Sequence, residues 1–390
     1  MKLAVITNYD LHAMGGAEEY IDRLAMRWHQ TGHQVTVFCR KPAPVPPTAP
    51  RPWQPEYPIQ WIDRPWSTRF GLGKYVRLLK KFHQSSPIDL LLACDSYWPG
   101  FVAEQFHRKS HVPYVLCSQG SDIMDGSRFL KRTTTRKRII SALTHASGIA
   151  CISSYMKART EQLTTPQGVV RLIPNGWPDE WTSQTAVTPL ISQPYLLCLG
   201  RMIESKGFQV VLDAYQKALP HTARWGLVLA GQGDYYSELV QRAIASGISV
   251  QQGNTWQQMP PPWIWFPSLI TGTQKQSIVQ HAEVGIIPSL RYEPQGIVTM
   301  EMLASSVPVI GSNIGGIPDI VHHEKNGWLF TPGSVKELSE TLVKIASNSS
   351  IIPHVRENCF KSVKNYRWSM VADQYLAFFE EIWQQKKLFK

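Results

Sequence analysis

Short apolar runs alternate with stretches of helical periodicity through the first 180 residues of the chain. This pattern predicts strands at residues 3–7, 34–39, 89–94, 114–118 and 150–153. A helix is predicted at residues 17–30, and the proline-rich residues 41–60 are predicted to form an extended loop. Alternating β and α elements over this length favour a doubly wound parallel sheet.

A second α/β set begins near Tyr195. Its strands are predicted at residues 195–200, 226–230, 284–288 and 307–311. The polar segment 178–194 contains prolines and serines, as domain boundaries commonly do. We therefore expect an N-terminal domain over residues 1–185 and a C-terminal domain over residues 190–370.

Two further segments stand apart from this alternation. Residues 253–268 hold three consecutive prolines between tryptophans, which excludes a helix interior and predicts an insertion on the surface or near a cleft. The last predicted helix, residues 371–385, has an apolar face. That face contains Ala372, Tyr375, Leu376, Phe379 and Trp383 and is predicted to be buried.

Composition indicates a globular protein, with 43% hydrophobic and 18% charged residues among 390. The net charge of +11 is uneven, because residues 128–138 and 74–83 are both rich in Lys and Arg. Residues 74–83 also place Tyr75, Leu78 and Leu79 at helical spacing. Either a solvated basic face or contact with an anionic membrane surface explains such stretches. No recognised nucleic-acid motif accompanies them, so nucleic acid is not expected as a partner.

The N-terminal residues 1–10 are predicted to form a strand, without the apolar region of a signal peptide. No run approaches the ~20 apolar residues of a membrane-spanning helix. The six cysteines lack CxxC spacing and are interpreted as reduced core thiols. A cytoplasmic location is expected, with peripheral contact to the inner face of the plasma membrane as a further expectation.

The strongest chemical signal lies in residues 288–309. A predicted strand ends just before them, and Glu293 and Glu301 bracket the start of a predicted helix. Free N–H groups at a helix N-terminus attract an anion, and Gly296 lets that anion approach the backbone. This arrangement suits a nucleoside diphosphate joined to a sugar. The alternative is an ordinary surface loop followed by a helix.

Two other turns carry candidate ligands. Arg201 and Lys206 follow the predicted strand at 195–200 and could converge on one anion, unless they are only an exposed pair. Gly15 and Gly16 stand at a predicted βα turn. The absence of GxGxxG there argues against a nicotinamide dehydrogenase.

These blocks resemble, in order along most of the chain, those of retaining glycosyltransferases of family 4. Residues 293–301 match the E-x7-E region, and the flank EMLASSVPVIGSNIGGIPDIVHHEKNGWLF matches its extended block. LGRMIESKGF resembles the GR…KG block, and SQGSD resembles an HGSD turn. Departures are Met302, Ser306 and Asp319 in the flank, and Gln119 in place of the common His.

The resemblance implies the GT-B fold, two Rossmann-like domains facing a central cleft. The N-terminal domain would bind the acceptor and the C-terminal domain the nucleotide-sugar. The C-terminal helix, residues 371–390, would pack back on the first domain.

The resemblance also implies roles for individual residues. Glu293 would bind donor-sugar hydroxyls, Glu301 the ribose, and Arg201 with Lys206 the pyrophosphate. Contacts to the nucleotide-sugar are also implied for Gly15, Gly16, Gly231, Thr271 and the backbone of Gln295, Gly296, Ile297 and Val298. Asp122 would face the cleft and bind a sugar hydroxyl, with a helix N-cap as its alternative role. Gln119 can exchange hydrogen bonds there but cannot act as an acid or base.

The predicted function is therefore metal-independent hexosyl transfer, with retention, to a lipid-linked or polysaccharide hydroxyl. UDP-glucose is the first expectation for the donor and GDP-mannose its main competitor. The sequence has no Asp-x-Asp and no metal-ligand spacing, so neither metal nor cofactor is expected. The alternatives are a nucleotide-sugar epimerase, against which Gln119 argues, and a non-catalytic nucleotide-sugar-binding protein.

Overall fold

The computed structural model describes residues 1–11, 15–41, 55–62, 69–181, 187–348 and 350–388. The chain forms two compact units: residues 1–176 with 368–390, and residues 177–367. The unit boundary at Gly176 and Trp177 lies several residues before the predicted boundary near 185–190. Part of the predicted linker, residues 182–186, lies outside the described residues.

The first unit contains a parallel sheet whose described strands run in the order β3-β2-β1-β4-β5-β6-β7. The strands are β1 Lys2–Thr7, β2 Gln34–Arg40, β3 Ile59–Ile62, β4 Leu90–Cys94, β5 Tyr114–Cys117, β6 Gly148–Cys151 and β7 Val169–Leu172. The helices that follow strands are α1 Gly16–Gln30, α2 Arg69–Ser85, α3 Phe101–Ser110, α4 Thr133–Thr144 and α5 Ser154–Leu163.

The strands of this sheet are nearly continuous apolar runs because helices cover both faces of a parallel sheet. Val5 of β1 pairs with Val37 of β2 on one side and with Leu92 of β4 on the other. All three side chains are buried. The strand β3 was not predicted, since its first residues fall inside the proline-rich range 41–60. Residues 42–54 of that range lie outside the described part of the chain.

The second unit repeats the architecture, with its described strands in the order β10-β11-β9-β8-β12-β13-β14. The strands are β8 Tyr195–Leu199, β9 Gly226–Ala230, β10 Ser249–Gln252, β11 Trp263–Phe266, β12 Val284–Ile287, β13 Val309–Ser312 and β14 Gly327–Phe330. The helices are α6 Phe208–Thr222, α7 Tyr236–Ala245, α8 Gly272–Gln280, α9 Ile297–Ala304, α10 Val335–Ser347 and α11 Ile351–Val363.

The segment 253–268 is not a surface insertion, and that prediction is wrong. Its second half forms β11, which pairs with β10 and β9 inside the sheet. Trp263, Ile264, Trp265 and Phe266 are completely buried. Only the proline-rich half precedes the strand as a loop. The tryptophans therefore belong to the core of the second unit.

The C-terminal helix, α12 Trp368–Leu388, belongs to the first unit. It packs against α1, where the Trp28 indole donates to the carbonyl of Ala372 across 2.9 Å. Trp28 also meets Tyr375 and Phe379 edge to face. Ala372, Tyr375 and Phe379 of the predicted apolar face are buried in the first unit, whereas Leu376 and Trp383 are half-buried.

All six cysteines are buried and unpaired, which confirms their interpretation as core thiols. Burial raises the pKa of Cys94 well above its usual value and that of Cys117 to about 11. Both thiols are consequently uncharged at neutral pH.

Candidate active site

The candidate ligands of the second unit follow neighbouring strands at one edge of its sheet. Arg201 and Lys206 come after β8, Gly231 after β9, Thr271 after β11 and Glu293 after β12. The strand order reverses at β8, which lies between β9 and β12. Ligands of open parallel sheets bind outside the carboxyl ends of the strands at such a reversal. Topology therefore gathers the predicted residues at the expected place.

Lys206 and Glu293 form an ion pair across this edge, Nζ to Oε2. They are 87 residues apart in the chain. Lys206 ends a short 3-10 turn, and the following Gly207 has φ +75°. A Cβ at Gly207 would lie 2.0 Å from the carbonyl oxygen of Pro288. The loop after β8 can therefore pack against the loop after β12 only with glycine at this position.

Glu293 is held by its backbone as well as by its carboxylate. The Ser289 hydroxyl donates to the carboxylate across 3.3 Å, and the Gly316 amide donates to the Glu293 carbonyl across 2.8 Å. The side chain keeps 14% of its surface exposed. The carboxylate is thus fixed in position and still accessible to a ligand.

Helix α9 begins directly beside Glu293. Gly296, with φ +91°, precedes the helix, which has no side-chain cap and no acidic residue in its first turn. Ile297 and Val298 are half-buried, and Gln295 is buried. This end of α9 is therefore suited to an anion held by backbone N–H groups.

Glu301 is completely buried on α9. The Lys275 ammonium of α8 lies 2.5 Å from its Oε1 atom. The same ammonium lies 5.3 Å from the centre of the Trp181 ring. Reasoning from sequence missed Lys275, because a lysine in the polar run GTQKQS looks like a solvated helix residue.

The remaining predicted residues of this unit are more exposed. Arg201 is exposed, and Thr271 is exposed just before α8. Gly231 approaches the neighbouring loop so closely that a Cβ would lie 1.9 Å from the carbonyl oxygen of Gly200. The Gly231 amide donates to the carbonyl of Ser268 in the loop that precedes Thr271. These loops are thus packed together at the sheet edge.

In the first unit, the turn after β5 carries Gln119 and Asp122. Asp122 is only 1% exposed; it accepts hydrogen bonds from the Ser118 hydroxyl and, across 2.5 Å, from the Ser96 amide. The carboxylate therefore braces the turns after β4 and β5. No described helix begins directly after Asp122, since α4 starts only at Thr133, so the alternative role as a helix N-cap is not seen. Its role as a ligand of a sugar hydroxyl stays a prediction.

Gln119 is half-buried and lies beside a carboxylate that was not predicted. Its backbone amide donates to Asp95 across 3.1 Å, while its side-chain amide contacts Cys117 and Asn175. Asp95 follows β4 with φ +87° and ψ +146°, a conformation that is rare outside glycine. No sequence signal marked Asp95, because nothing in CDSYW distinguishes it from a turn residue.

Asp95 has unusual electrostatics. Burial and the neighbouring Asp122 raise the pKa of Asp95 to about 8, although hydrogen bonds from Tyr9 and the Gln119 amide oppose the shift. Burial and Asp95 together raise the pKa of Tyr9 well above its usual value. An ionisable group therefore lies next to Gln119, which itself cannot titrate.

Gly16 begins α1, Gly15 directly precedes it, and both are exposed. The first turn of this helix contains Glu18 and Glu19, and a Cβ at Gly15 would lie 2.2 Å from the Glu18 carboxylate. Residues 12–14, which precede this turn, lie outside the described residues. The acidic side chains make this helix end less favourable to a diphosphate than that of α9.

The two basic stretches of the first unit differ in how much of their surface is available to a membrane. On α2, Tyr75 and Leu79 are buried, and the Tyr75 hydroxyl donates to the carbonyl of Phe38. Most of its apolar face is thus packed in the core rather than available to a membrane. In residues 128–138, by contrast, Lys131, Arg132 and Arg136 are exposed and present positive charge to solvent.

In the described part of the chain, no group of three His, Cys, Asp or Glu side chains could hold a metal ion. Within the same residues, no helix is both long enough and apolar enough to cross a membrane.

Comparison with known proteins gives the class of the protein. Residues 14–181 match the sequence profile of Glycosyltransferase Family 4, and residues 193–348 match that of Glycosyl transferases group 1. With its two parallel-sheet α/β units, the chain is a glycosyltransferase of the GT-B fold. It belongs to the family 4 type, which confirms the fold and the family expected from the sequence motifs.

Three similar proteins cover nearly the whole chain. A phosphatidyl-myo-inositol mannosyltransferase of Mycobacterium leprae is 27% identical over 400 residues, covering 98% of this chain and 97% of that protein. A sucrose-phosphate synthase structure from Thermosynechococcus elongatus has a TM-score of 0.80 at 20% identity, covering 98% and 99% of the two chains. The structure of Anabaena HepE in complex with UDP-glucose has a TM-score of 0.76 at 18% identity, covering 98% and 100%.

Proposed function

We propose that this glycosyltransferase moves a hexose from a nucleotide-sugar to an acceptor hydroxyl with retention of the anomeric configuration. The observation that carries the proposal is the contact between Lys206 and Glu293. Lys206 is the cation assigned to the pyrophosphate, and Glu293 is the carboxylate assigned to the sugar. The bond that breaks joins a sugar to a phosphate, so ligands for the two groups must be neighbours.

UDP-glucose is the proposed donor. HepE, whose structure contains UDP-glucose, shares the fold across nearly the whole chain, which supports this choice. The mannosyltransferase relative favours a mannose donor instead, so GDP-mannose is the competitor. Because the loop before Thr271 would hold the base through backbone groups, side-chain identity there does not distinguish the two nucleotides.

In the proposed reaction, the bond between the anomeric carbon and the phosphate oxygen breaks, and its electron pair stays on the leaving diphosphate. The acceptor oxygen bonds to the same face of that carbon. Its proton passes to the departing phosphate oxygen, so no enzyme base is required. Glu293 would bind sugar hydroxyls and stabilise positive charge on the ring as the bond breaks.

We propose that protein cations, rather than a divalent metal, stabilise the leaving group. Arg201 can offer a forked set of donors and Lys206 a concentrated charge. The N-terminal turn of α9 adds backbone N–H groups without an opposing acidic side chain. When the diphosphate binds, it competes with Glu293 for Lys206, which frees that carboxylate for the sugar.

The proposed acceptor is a lipid-linked or growing polysaccharide, held by the first unit. The exposed cations of residues 128–138 would bring this unit to an anionic inner leaflet, each contributing roughly 1 kcal/mol when well placed. On this proposal the protein is cytoplasmic and peripheral to the membrane.

The reaction is tested by following UDP-glucose by NMR with the purified protein in EDTA, where slow hydrolysis replaces the missing acceptor. We expect UDP release, with α-glucose as the first sugar product because configuration is retained. Early β-glucose would contradict retention. Conversion to another UDP-hexose without UDP release would support the epimerase. If a Glu293→Gln variant releases UDP at the wild-type rate, Glu293 does not take part in the reaction.

A further inference from the structure

The ion pair between Lys275 and Glu301 joins the two helices that begin at the ligand-binding edge of the second unit. Lys275 is the fourth residue of α8, which starts after Thr271, and Glu301 is the fifth residue of α9, which starts after Gly296. The pair therefore lies little more than one helical turn behind both helix N-termini.

The position of this pair matches the covalent order of a nucleoside diphosphate. The segment at Thr271 is assigned to the base, and the N-terminus of α9 is assigned to the diphosphate. In the ligand, the ribose connects these two groups. The side chains that join α8 to α9 consequently lie where the ribose must pass.

Glu301 depends on a partner because its side chain has no exposed surface. A carboxylate removed from water loses its hydration and remains charged only when paired. Lys275 provides that charge at 2.5 Å, while keeping 21% of its own side chain exposed. The positive charge of the lysine therefore favours the carboxylate form of Glu301, which accepts hydrogen bonds.

The ammonium group of Lys275 is itself fixed. It lies 5.3 Å from the centre of the Trp181 ring, a cation–π distance, and Trp181 is only 6% exposed. The backbone amide of Lys275 donates to the carbonyl of Thr271 across 3.2 Å. The lysine and the segment assigned to the base are therefore joined through the first turn of α8. A flexible side chain is thus held in one place between an aromatic ring and a carboxylate.

We infer that Lys275 is a positioning residue for recognition of the ribose: it keeps Glu301 charged and oriented so that Glu301 accepts the ribose hydroxyls. The inference rests on the proposed function and adds a residue that none of the sequence motifs contains. It assigns part of the selectivity for ribonucleotides to Lys275, which acts on the ribose through Glu301 rather than by touching it.

Calorimetry with UDP and 2′,3′-dideoxy-UDP tests this inference. The wild-type protein should bind UDP about 10- to 100-fold more tightly than the dideoxy compound, since hydrogen bonds to a charged acceptor are strong. Lys275→Met should weaken UDP binding and leave dideoxy-UDP binding almost unchanged, so the ratio falls toward one. Lys275→Arg should retain most of the ratio, because it keeps the charge.

Lys344→Met is the matched control, since Lys344 pairs with Glu324 at the same 2.5 Å on the exposed surface of the same unit. It should leave both affinities unchanged. Melting temperatures of all variants identify any that fail to fold, and Lys275→Gln, which also removes the charge, carries the test if Lys275→Met is one of them. If Lys275→Met weakens both ligands equally, or leaves the ratio unchanged, the inference is overturned. If the wild-type protein binds neither UDP nor GDP, the proposed function fails first.

Discussion

A Cβ atom on Gly315 would lie 2.1 Å from the carbonyl oxygen of Glu293. Gly315 also has φ +63°, a conformation that costs other residues about 1–2 kcal/mol. The loop after β13 therefore supports the backbone of Glu293, the residue proposed to bind the donor sugar. Only glycine allows this approach.

Gly315→Ala should consequently displace Glu293 and reduce both the melting temperature and the affinity for UDP-glucose. The matched control is Gly247→Ala, because Gly247 has φ +75° with no atom within 4 Å of a built Cβ. It should lose stability through backbone strain alone and keep donor affinity. Equal donor affinity in the two variants would show that Gly315 does not help to position Glu293.

Lys206→Ala should lower kcat by roughly 100-fold, because a charge aimed at the leaving group is lost from a site that relies on preorganised electrostatics. Steady-state kinetics with UDP-glucose, with EDTA or with Mg²⁺, measures this effect. Arg242→Ala, which breaks an exposed ion pair with Glu238, serves as the control and should be neutral. Restoration of activity by Mg²⁺ would argue against leaving-group stabilisation without metal.

Asp95→Asn should stabilise the protein increasingly as the pH rises from about 4 to about 8. The pKa of Asp95 is raised from 3.8 to about 8 in the fold, so the unfolded chain loses the proton first and the folded state loses stability across that window. The gradient is at most about 1.4 kcal/mol per pH unit. Asp122, Tyr9, Glu18 and the Gln119 amide are the groups acting on Asp95.

Thermal melting of wild type and Asp95→Asn between pH 4 and pH 9 measures this difference. The curves should meet near pH 4, diverge up to pH 8 and then run parallel. Asp213→Asn, which changes an exposed aspartate on α6, should follow the wild type throughout. A constant difference between wild type and Asp95→Asn would show that Asp95 keeps an ordinary pKa.

Replacing Lys131, Arg132, Arg136 and Lys137 with Gln should weaken binding to anionic vesicles by at least about tenfold, since each cation near the surface contributes roughly 1 kcal/mol. Donor hydrolysis should be unchanged. Flotation with phosphatidylserine vesicles checks the prediction. The charge-matched control replaces Lys336, Lys344, Lys361 and Lys364, all exposed in the second unit. An equal loss of vesicle binding in both variants would mean that only the net charge of the protein matters.

The sequence predicted the local parts of the site because each is a turn directly after an apolar strand. Gly296 and Glu293 belong to such a turn, and the strand order then brings them to Lys206. Predictions from local pattern failed where a contact is distant in sequence. Lys275 lies 26 residues from Glu301, and Asp95 meets the Gln119 amide 24 residues away.

The fold was likewise predicted from apolar strands followed by turns. The main error in that prediction, at residues 253–268, has a physical cause. Interior strands of a parallel sheet are buried on both faces, so they lack the alternation that marks a half-buried strand. In β11 the buried run is Trp263–Phe266, and its tryptophans beside prolines resemble a surface insertion. Burial of Asp122 was equally hidden, because HGSD-like turns show no sign of which carboxylates are engaged by backbone amides.

Binding of nucleotide-sugars in EDTA tests the central claim most directly. Calorimetry would compare UDP, GDP, UDP-glucose, UDP-galactose, UDP-N-acetylglucosamine and GDP-mannose. We expect micromolar binding of the uridine nucleotides without metal, with UDP-glucose preferred among the sugars. Binding of none of the six would contradict the assignment of the edge around Lys206, Glu293 and Gly296 to a nucleotide-sugar donor.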